Sequence, residues 1–492
     1  MIRPIGEFTK SFSEISNYLG QDSDLGDIVR GICTNSNEIE PGDLFVAIKG
    51  GNRHGADFID IAISKGAVAV LTDISGAEIV SRKLPTIIVN DPRSEVGPLS
   101  NWFYGNPSSK FTLIGITGTN GKTTTSYLLN QIWKSAGKST ALIGTLGVEI
   151  CGENKKINFT TPEADALANI FAAAAERHVT NGVMEVSSIA LEMRRVSGTH
   201  FKYVAFTNLT QDHLDFHGSM EKYGAAKAKL FNLEYAENAL INIDDSFGKE
   251  LFDNSTIPAI SISRTARTAT WHFEKIGVNG YKTEIAIRGE GGILIEGEIS
   301  LIGEHNLDNL ILAVALAFYS GVDPLVIAAS LSSLRGAPGR LEIVNAGQDF
   351  LALVDYAHTP DAVMRTLQTA KKLSKRVIAV LGCGGDRDRT KRPLMGIELA
   401  NGSDLAIFTS DNPRSESPEF ILDEMMARVD KNENTLRFSD RREAIAYAVT
   451  SAKTDDCLVL LGKGHEVGQE ISGRIYPFDD RIELAKAIEA LS

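Results

Sequence analysis

Several things are scarce in this chain of 492 residues, and each scarcity closes off a class of protein. It has four cysteines, Cys33, Cys151, Cys383 and Cys457, widely spaced and without a CxxC pair. That excludes a disulfide framework and a zinc cluster and suits a reducing compartment, so free thiols and a cytoplasmic location are expected. No apolar run is longer than the ten residues of 310–319, well short of the roughly 18 or more that a membrane span needs. The first twenty residues carry Arg3, Glu7 and Lys10 and lack an apolar core, so no secretory signal is expected. Positive charge is also in deficit: 50 Lys and Arg against 63 Asp and Glu give a net charge of −13. A broad basic surface for nucleic acid is therefore excluded, and an anionic ligand would have to be held by local devices.

What remains is an ordinary globular composition, 43% apolar and 23% charged, which excludes a disordered or fibrous chain. The length predicts about three domains at roughly 150 residues each. Short β-branched runs alternate with amphipathic stretches, the pattern of a parallel α/β protein. Boundaries are expected at the turn-rich NWFYGNPSSK (101–110) and at the Gly/Pro-rich LRGAPGR (334–340), where helix cannot continue through Pro338. The expectation is an α/β fold of three domains: an N-terminal α/β domain over 1–108, a central domain with a phosphate-binding loop on a parallel sheet over 109–337, and a C-terminal Rossmann-like domain over 338–492. In the last, FLALVDYAHTP, KRVIAVLGCGGDRD, DLAIFTSDNPR and CLVLLGKGHE each pass from a buried strand to a polar loop. Ligands of open α/β sheets sit at such carboxyl ends.

The strongest single signal is FTLIGITGTNGKTTTSYLLNQIWKSAG (111–137), a strand that turns through 118–121 into a helix. Glycines at 118 and 121 let backbone amides approach a phosphate, the helix N-terminus adds partial positive charge, Lys122 can reach terminal phosphates, and the Thr123 hydroxyl can ligate magnesium. The turn is shorter than the general motif, which has four residues between its glycines. In TNGVMEVSS (180–188), Glu185 interrupts an apolar strand, and a buried carboxylate implies a metal or a basic neighbour. NLTQDHLDFHGS (208–219) gathers Asp212, His213, Asp215 and His217, which suits a second divalent ion or a turn that caps the next helix.

These motifs belong to a longer ordered set: PGDLFVAIKG (41–50), GITGTNGKTTT (115–125), TTP (160–162), MEVSS (184–188), DHLDFHGSMEKYGAAKAKLF (212–231), GEHNLDNLILA (303–313), GAPGRLE (336–342), VDYAHTPD (354–361), GCGGDRDRTKRPLMG (382–396), DNPR (411–414) and GKGHE (462–466). The set runs nearly end to end and resembles the Mur ligase family, within it the enzymes that add the third amino acid to UDP-N-acetylmuramoyl-L-alanyl-D-glutamate in peptidoglycan precursor synthesis. The resemblance implies a cytoplasmic, monomeric ATP-dependent ligase. ATP phosphorylates a carboxylate, an amine attacks the acyl phosphate, and an amide, ADP and phosphate leave. It implies two magnesium ions, one at Thr123 and Glu185, the other at Glu185, His213 and Lys227. Lys227 would be a carbamate, because a free ammonium would repel the metal. Lys122, Glu185, His213 and Lys227 would carry catalysis. Gly118, Thr119, Asn120, Gly121, Lys122, Thr123, Thr124, Asn309, Arg340, Asp355 and His358 match the family's ATP contacts. Ser36, Thr160, Thr161, Ser187 and Arg195 match its UDP-substrate contacts, although as single Ser and Thr residues they read equally well as turns and caps. TNSN (34–37) and Ile189 depart from the family pattern at that end of the site.

The choice of amino acid rests on DNPR. The resemblance assigns Asp411, Asn412, Pro413 and Arg414, with Arg387, Gly462 and Glu466, to meso-diaminopimelate. That substrate carries a distal carboxylate that a planar guanidinium can grip through paired hydrogen bonds, and lysine has nothing there. A lysine-adding relative and a folylpolyglutamate synthase-like ligase are the alternatives within the chemistry, and a nucleotide-dependent switch is the alternative outside it. A switch of the GTPase type would want an NKxD motif, which is missing.

Overall fold

The computed structural model describes residues 1–81, 83–279, 282–430 and 432–491. Three larger sheets follow one another along the chain. The first is a four-stranded parallel sheet in the order Gly31–Cys33, Asp43–Ala47, Ala69–Thr72, Thr86–Ile88. Helix Pro92–Phe103 covers it and leads through the turn at Pro107–Ser109 into the second sheet.

The second sheet has a parallel centre in which Thr112–Thr117 lies between Asn181–Glu185 and Phe201–Phe206. Antiparallel strands extend it at both edges, including the meander Trp271–Asn279, Lys282–Arg288 and Leu294–Ile299. Apolar residues recur at helical spacing on both Lys122–Ser135 and Glu304–Tyr319, so the two helices share one core. Leu128, Leu129, Ile132 and Trp133 meet Leu310, Ile311, Val314 and their neighbours there. The first eight residues of the ten-residue apolar run, 310–317, are buried in the second helix, with Asn306, Leu307 and Asn309 before them. Among the described residues no helix is long and apolar enough to cross a membrane.

The third sheet has the order Glu342–Ile343, Leu351–Asp355, Cys457–Leu461, Val377–Cys383, Leu405–Ser410, Thr435–Phe438, parallel except for the first pair. Its four central strands are the strand-to-loop units read from sequence, and each is buried along its whole length. The two edge strands and the hairpin Gly468–Ile471/Arg474–Pro477 were not foreseen, because short polar strands carry little hydrophobic pattern. A fully buried ion pair pins this region: Arg441 Nη2 and Asp480 Oδ2 lie 2.6 Å apart, both side chains at 0% exposure. At the carboxyl ends of the central and C-terminal sheets the phosphate loop shares a cavity with the loop after Asp355, and the loops after Cys383, Ser410 and Leu461 share an adjoining one with Thr160, Thr161 and His213.

Candidate active site

The chain turns from strand Thr112–Thr117 into helix Lys122–Ser135 through two glycines of positive φ, Gly118 at 144° and Gly121 at 89°. Both are required by space as well as by φ. A Cβ on Gly118 would stand 1.8 Å from Thr207 Oγ1, and one on Gly121 would stand 2.2 Å from Asn309 Oδ1. Lys122 folds back over the loop and donates to the carbonyls of Gly118 (2.9 Å) and Thr119 (2.8 Å). Lys227, on helix Met220–Ala228, donates to that same Gly118 carbonyl at 2.8 Å, with its ammonium 4.3 Å from the Tyr223 ring centre. Burial lowers the proton affinity of Lys122, and burial together with the neighbouring Lys122 pushes Lys227 well below the ordinary lysine range. Lys229, two residues on, is out on the surface paired with Glu192.

Glu185 ends its strand buried, 1% exposed. It accepts from Thr123 Oγ1 (2.9 Å), the Thr145 amide (2.8 Å) and Thr145 Oγ1 (3.1 Å). Among the described residues it has no basic partner within 4.0 Å. A buried carboxylate left without a counter-charge is costly, so the pair of oxygens from Thr123 and Glu185 beside the phosphate loop fits a divalent cation. The His/Asp cluster is less uniform than its spacing suggested. His217 Nε2 is taken up by Ser188 Oγ at 2.9 Å, and Ser219 rather than Asp or His caps helix Met220–Ala228. No set of three or more His, Cys, Asp and Glu converges as a metal cage among the described residues. His213 sits next to Asp212 (3.4 Å), with a positive φ of 52°.

Residues from the C-terminal sheet close this end of the site. Gly121, Thr123, Thr124, Asn309, Arg340, Asp355 and His358 line one cavity with Asn120. Asn120 Nδ2 reaches Asp361 Oδ2 across it at 3.3 Å. The Arg340 guanidinium lies 4.4 Å from the Tyr356 ring centre. Asp355 spends both carboxylate oxygens on its own surroundings, the amides of Leu341 (2.7 Å) and Ala357 (2.9 Å) and Thr366 Oγ1 (3.2 Å), so it braces the loop that forms the wall. Burial drives the imidazole pKa of His358 down to about 4.

A cleft of about 570 Å³ continues from there. Thr160, Thr161, Ser187, Arg195 and His213 stand on one wall, and Arg387, Asp411, Asn412, Arg414, Gly462 and Glu466 on the other. Thr161 Oγ1 accepts from the Ser187 amide (3.0 Å) and donates to the Glu185 carbonyl (2.9 Å), which ties this wall to the phosphate loop. Arg195 is held by Glu163 at 2.9 Å and stacks over Phe159. Across the cleft, Asn412 Nδ2 donates to Glu466 Oε2 at 2.7 Å. Two expected contacts are not brought to the cleft. Ser36 stays with the N-terminal sheet, where its neighbour Thr34 bonds Asp165. Pro413 turns its carbonyl toward Gly385, where a Cβ would meet it at 1.9 Å.

Sequence reasoning did not single out Lys391, Tyr356 and Lys463. Asp212 faces Lys391 (3.8 Å) and His358 (4.0 Å) across the cleft. Burial works to raise the Asp212 carboxyl, but His358, His213 and Lys391 outweigh it and hold it below its ordinary value. Lys463, fully buried, donates to Asn412 Oδ1 (3.2 Å), Glu466 Oε2 (3.2 Å) and the Gly468 carbonyl (2.7 Å). A lysine between two glycines in GKGHE, next to so many acceptors, was the available signal.

Three segments match descriptions of known domains: "Mur ligase family, catalytic domain" over 28–104, "Mur ligase middle domain" over 116–317 and "Mur ligase, glutamate ligase domain" over 339–464. A protein of Streptomyces coelicolor named UDP-N-acetylmuramoyl-L-alanyl-D-glutamate--2,6-diaminopimelate ligase is 41% identical, covering 99% of this chain and 98% of that protein. The chain belongs to the Mur ligase family. A relative of the same name from Aquifex aeolicus is 42% identical over 92% of both chains. A solved structure of a ligase with that name superposes on this Mur ligase with a TM-score of 0.68 and 32% identity, covering 98% of this chain and 99% of that one. MurF of Thermotoga maritima, solved in complex with ADP, shares the fold at a TM-score of 0.65 and 18% identity, covering 94% and 99%.

Proposed function

We propose that this Mur ligase joins meso-diaminopimelate to UDP-N-acetylmuramoyl-L-alanyl-D-glutamate with hydrolysis of ATP to ADP, acting as a cytoplasmic monomer. The observation that carries the reading is the pairing of a phosphate loop, at one end of a continuous cleft, with Arg414, Asn412 and Glu466 at the other. The relatives named above, at about 40% identity over nearly their whole length, support the same assignment. We take residues 1–108 as the domain for the uridine end, 109–337 as the ATP domain and 338–492 as the amino-acid domain.

The loop 118–121 and the start of the following helix direct amides at the phosphates of ATP, and Lys122 exchanges its carbonyl bonds for the terminal phosphate. Arg340, Asn309 and His358 close on the nucleotide from the far side. Thr160, Thr161, Ser187 and Arg195 orient the UDP-dipeptide so that its carboxylate meets that phosphate, and Ser36 contacts the uridine end. An acyl phosphate forms, and the amine of diaminopimelate attacks it. Arg414 holds the distal carboxylate, Asn412 and Glu466 hold polar groups beside it, and Arg387, Asp411 and Gly462 shape the pocket. Positioning and charge neutralisation supply most of the acceleration in chemistry of this kind.

The adjacent oxygens of Thr123 and Glu185 support a magnesium site, and we take two ions as the complement, which when bound would neutralise the charge that accumulates on the phosphates. Thr123 and Glu185 would hold one. Glu185, His213 and Lys227 would hold the other, with Lys227 as a carbamate. The depressed proton affinity of Lys227 favours the neutral amine, the form that combines with carbon dioxide.

A mass-spectrometric product assay with diaminopimelate and lysine offered together tests reaction and specificity at once. The expected product is the diaminopimelate adduct, formed with one ADP per amide. A lysine adduct in equal amount would overturn the substrate assignment.

A further inference from the structure

Arg414 has a backbone φ of 52°, and its side chain is held from outside the cleft. The strand Gly468–Ile471 runs along Asp411–Arg414 and is fastened to it by a series of bonds. Gln469 Nε2 donates to the Asp411 carbonyl (2.7 Å), and the Glu470 amide donates to Asn412 Oδ1 (3.0 Å). The Arg414 amide donates to the Glu470 carbonyl (3.0 Å), and the Ser472 amide to the Arg414 carbonyl (2.7 Å). Lys463 adds its bond to the Gly468 carbonyl. On this frame Glu470 Oε2 lies 3.2 Å from Arg414 Nε, while Arg414 Nη1 donates to the Gly385 carbonyl at 2.7 Å.

A guanidinium offers five N–H groups in a fixed plane. The charge of Glu470 beside Nε and the hydrogen bond from Nη1 to the Gly385 carbonyl hold the guanidinium from two sides. The second Nη1–H and both Nη2–H groups remain for a ligand. Glu470 itself is not on the cleft wall, so it can touch a substrate only through Arg414.

We propose that Glu470 is a positioning residue for amino-acid selection, fixing the Arg414 guanidinium so that its open edge faces the cleft. The proposal rests on the reading that Arg414 meets the distal carboxylate. Pre-orienting that group lowers the ordering cost of binding diaminopimelate and leaves ATP and the UDP-dipeptide unaffected.

The test compares Glu470→Ala, Glu470→Gln and Arg414→Ala with the wild-type protein by ADP release, titrating each substrate in turn. An exposed ion pair sets the scale, so Glu470→Ala is expected to raise the KM for diaminopimelate about three- to fivefold with kcat unchanged. The KM values for ATP and the UDP-dipeptide should stay constant. Glu470→Gln keeps the side chain's size but removes the charge of the ion pair, so it should recover less than half of the loss. A rise below twofold, a fall in KM, or a parallel change in the KM for ATP would overturn the proposal. If Arg414→Ala is severely impaired while Glu470→Ala is silent, the positioning role fails and the proposed function stands. If Arg414→Ala binds diaminopimelate as the wild type does, both fall.

Discussion

Replacing Arg414 by alanine should damage the use of diaminopimelate far more than the use of ATP. The side chain is 21% exposed, and its internal partners are the Gly385 carbonyl, to which Nη1 donates, and Glu470, whose carboxylate lies 3.2 Å from Nε. Truncating one partner of a buried, hydrogen-bonded charge pair costs about 2–5 kcal/mol. Solvent reaching a fifth of the guanidinium screens that interaction, so the low end applies, about 2–3 kcal/mol, or roughly thirty- to one-hundred-and-fifty-fold in kcat/KM. Alanine inherits the same left-handed backbone, and the sheet core is untouched, so the melting temperature should move little. Arg414→Lys should recover only part of the loss, since an ammonium cannot form the planar paired contact. The assay is ADP release under diaminopimelate and under lysine, with the KM for ATP as the internal control. An unchanged ratio of diaminopimelate to lysine use in Arg414→Ala would refute the reasoning and leave DNPR a structural turn.

Lys122→Ala should abolish turnover in a folded protein, because Lys122 is the lysine that starts the helix at the phosphate loop; turnover within a few fold of wild type would end that reading. Lys227→Ala should be nearly inactive and partly restored by small carboxylic acids, measured as ADP release against added acid; full activity without rescue would return Lys227 to a purely structural role on its helix. Asp480→Ala leaves Arg441 buried and unpaired, so unfolding in denaturant should show a loss of about 3–5 kcal/mol. A midpoint close to wild type would show that Arg441 finds another acceptor, such as the Leu461 carbonyl it already meets at 2.8 Å.

Sequence made the fold class and the phosphate loop legible because both are local. Strand, glycine turn and helix follow one another within 111–137, and the four C-terminal strands each announce themselves by an apolar run and a polar exit. What it could not supply was the company each side chain keeps. The DHLDFH segment read as either a ligand cluster or a capping turn, yet Ser188 takes His217 while Asp212 faces Lys391 and His358 from the other side of the cleft. Arg414 read as the grip on a distal carboxylate, yet its own ion-pair partner comes from a hairpin more than fifty residues later in the chain, and nothing in the alternation of GQEISGRIYP marks that hairpin as part of a binding site. Ser36 matched a motif and stays apart from the cleft, because position within a motif does not fix which surface a loop presents.

The arrangement around Gly118 argues that these charges are placed for ligands and not for one another. Two lysines, Lys122 half-buried and Lys227 fully buried, converge on a single neutral carbonyl at 2.9 and 2.8 Å. Glu185, as buried as Lys227, is surrounded by hydroxyls and an amide and makes no ion pair among the described residues. Stability alone would favour joining one of those lysines to that carboxylate, since a buried charge without a partner is strongly unfavourable. A phosphate chain with its cations relieves both excesses at once, the anion beside Lys122 and the cations beside Glu185. Places where a fold breaks its own rules of charge pairing are where function is expected, and in this chain the breach lies at the mouth of the glycine turn.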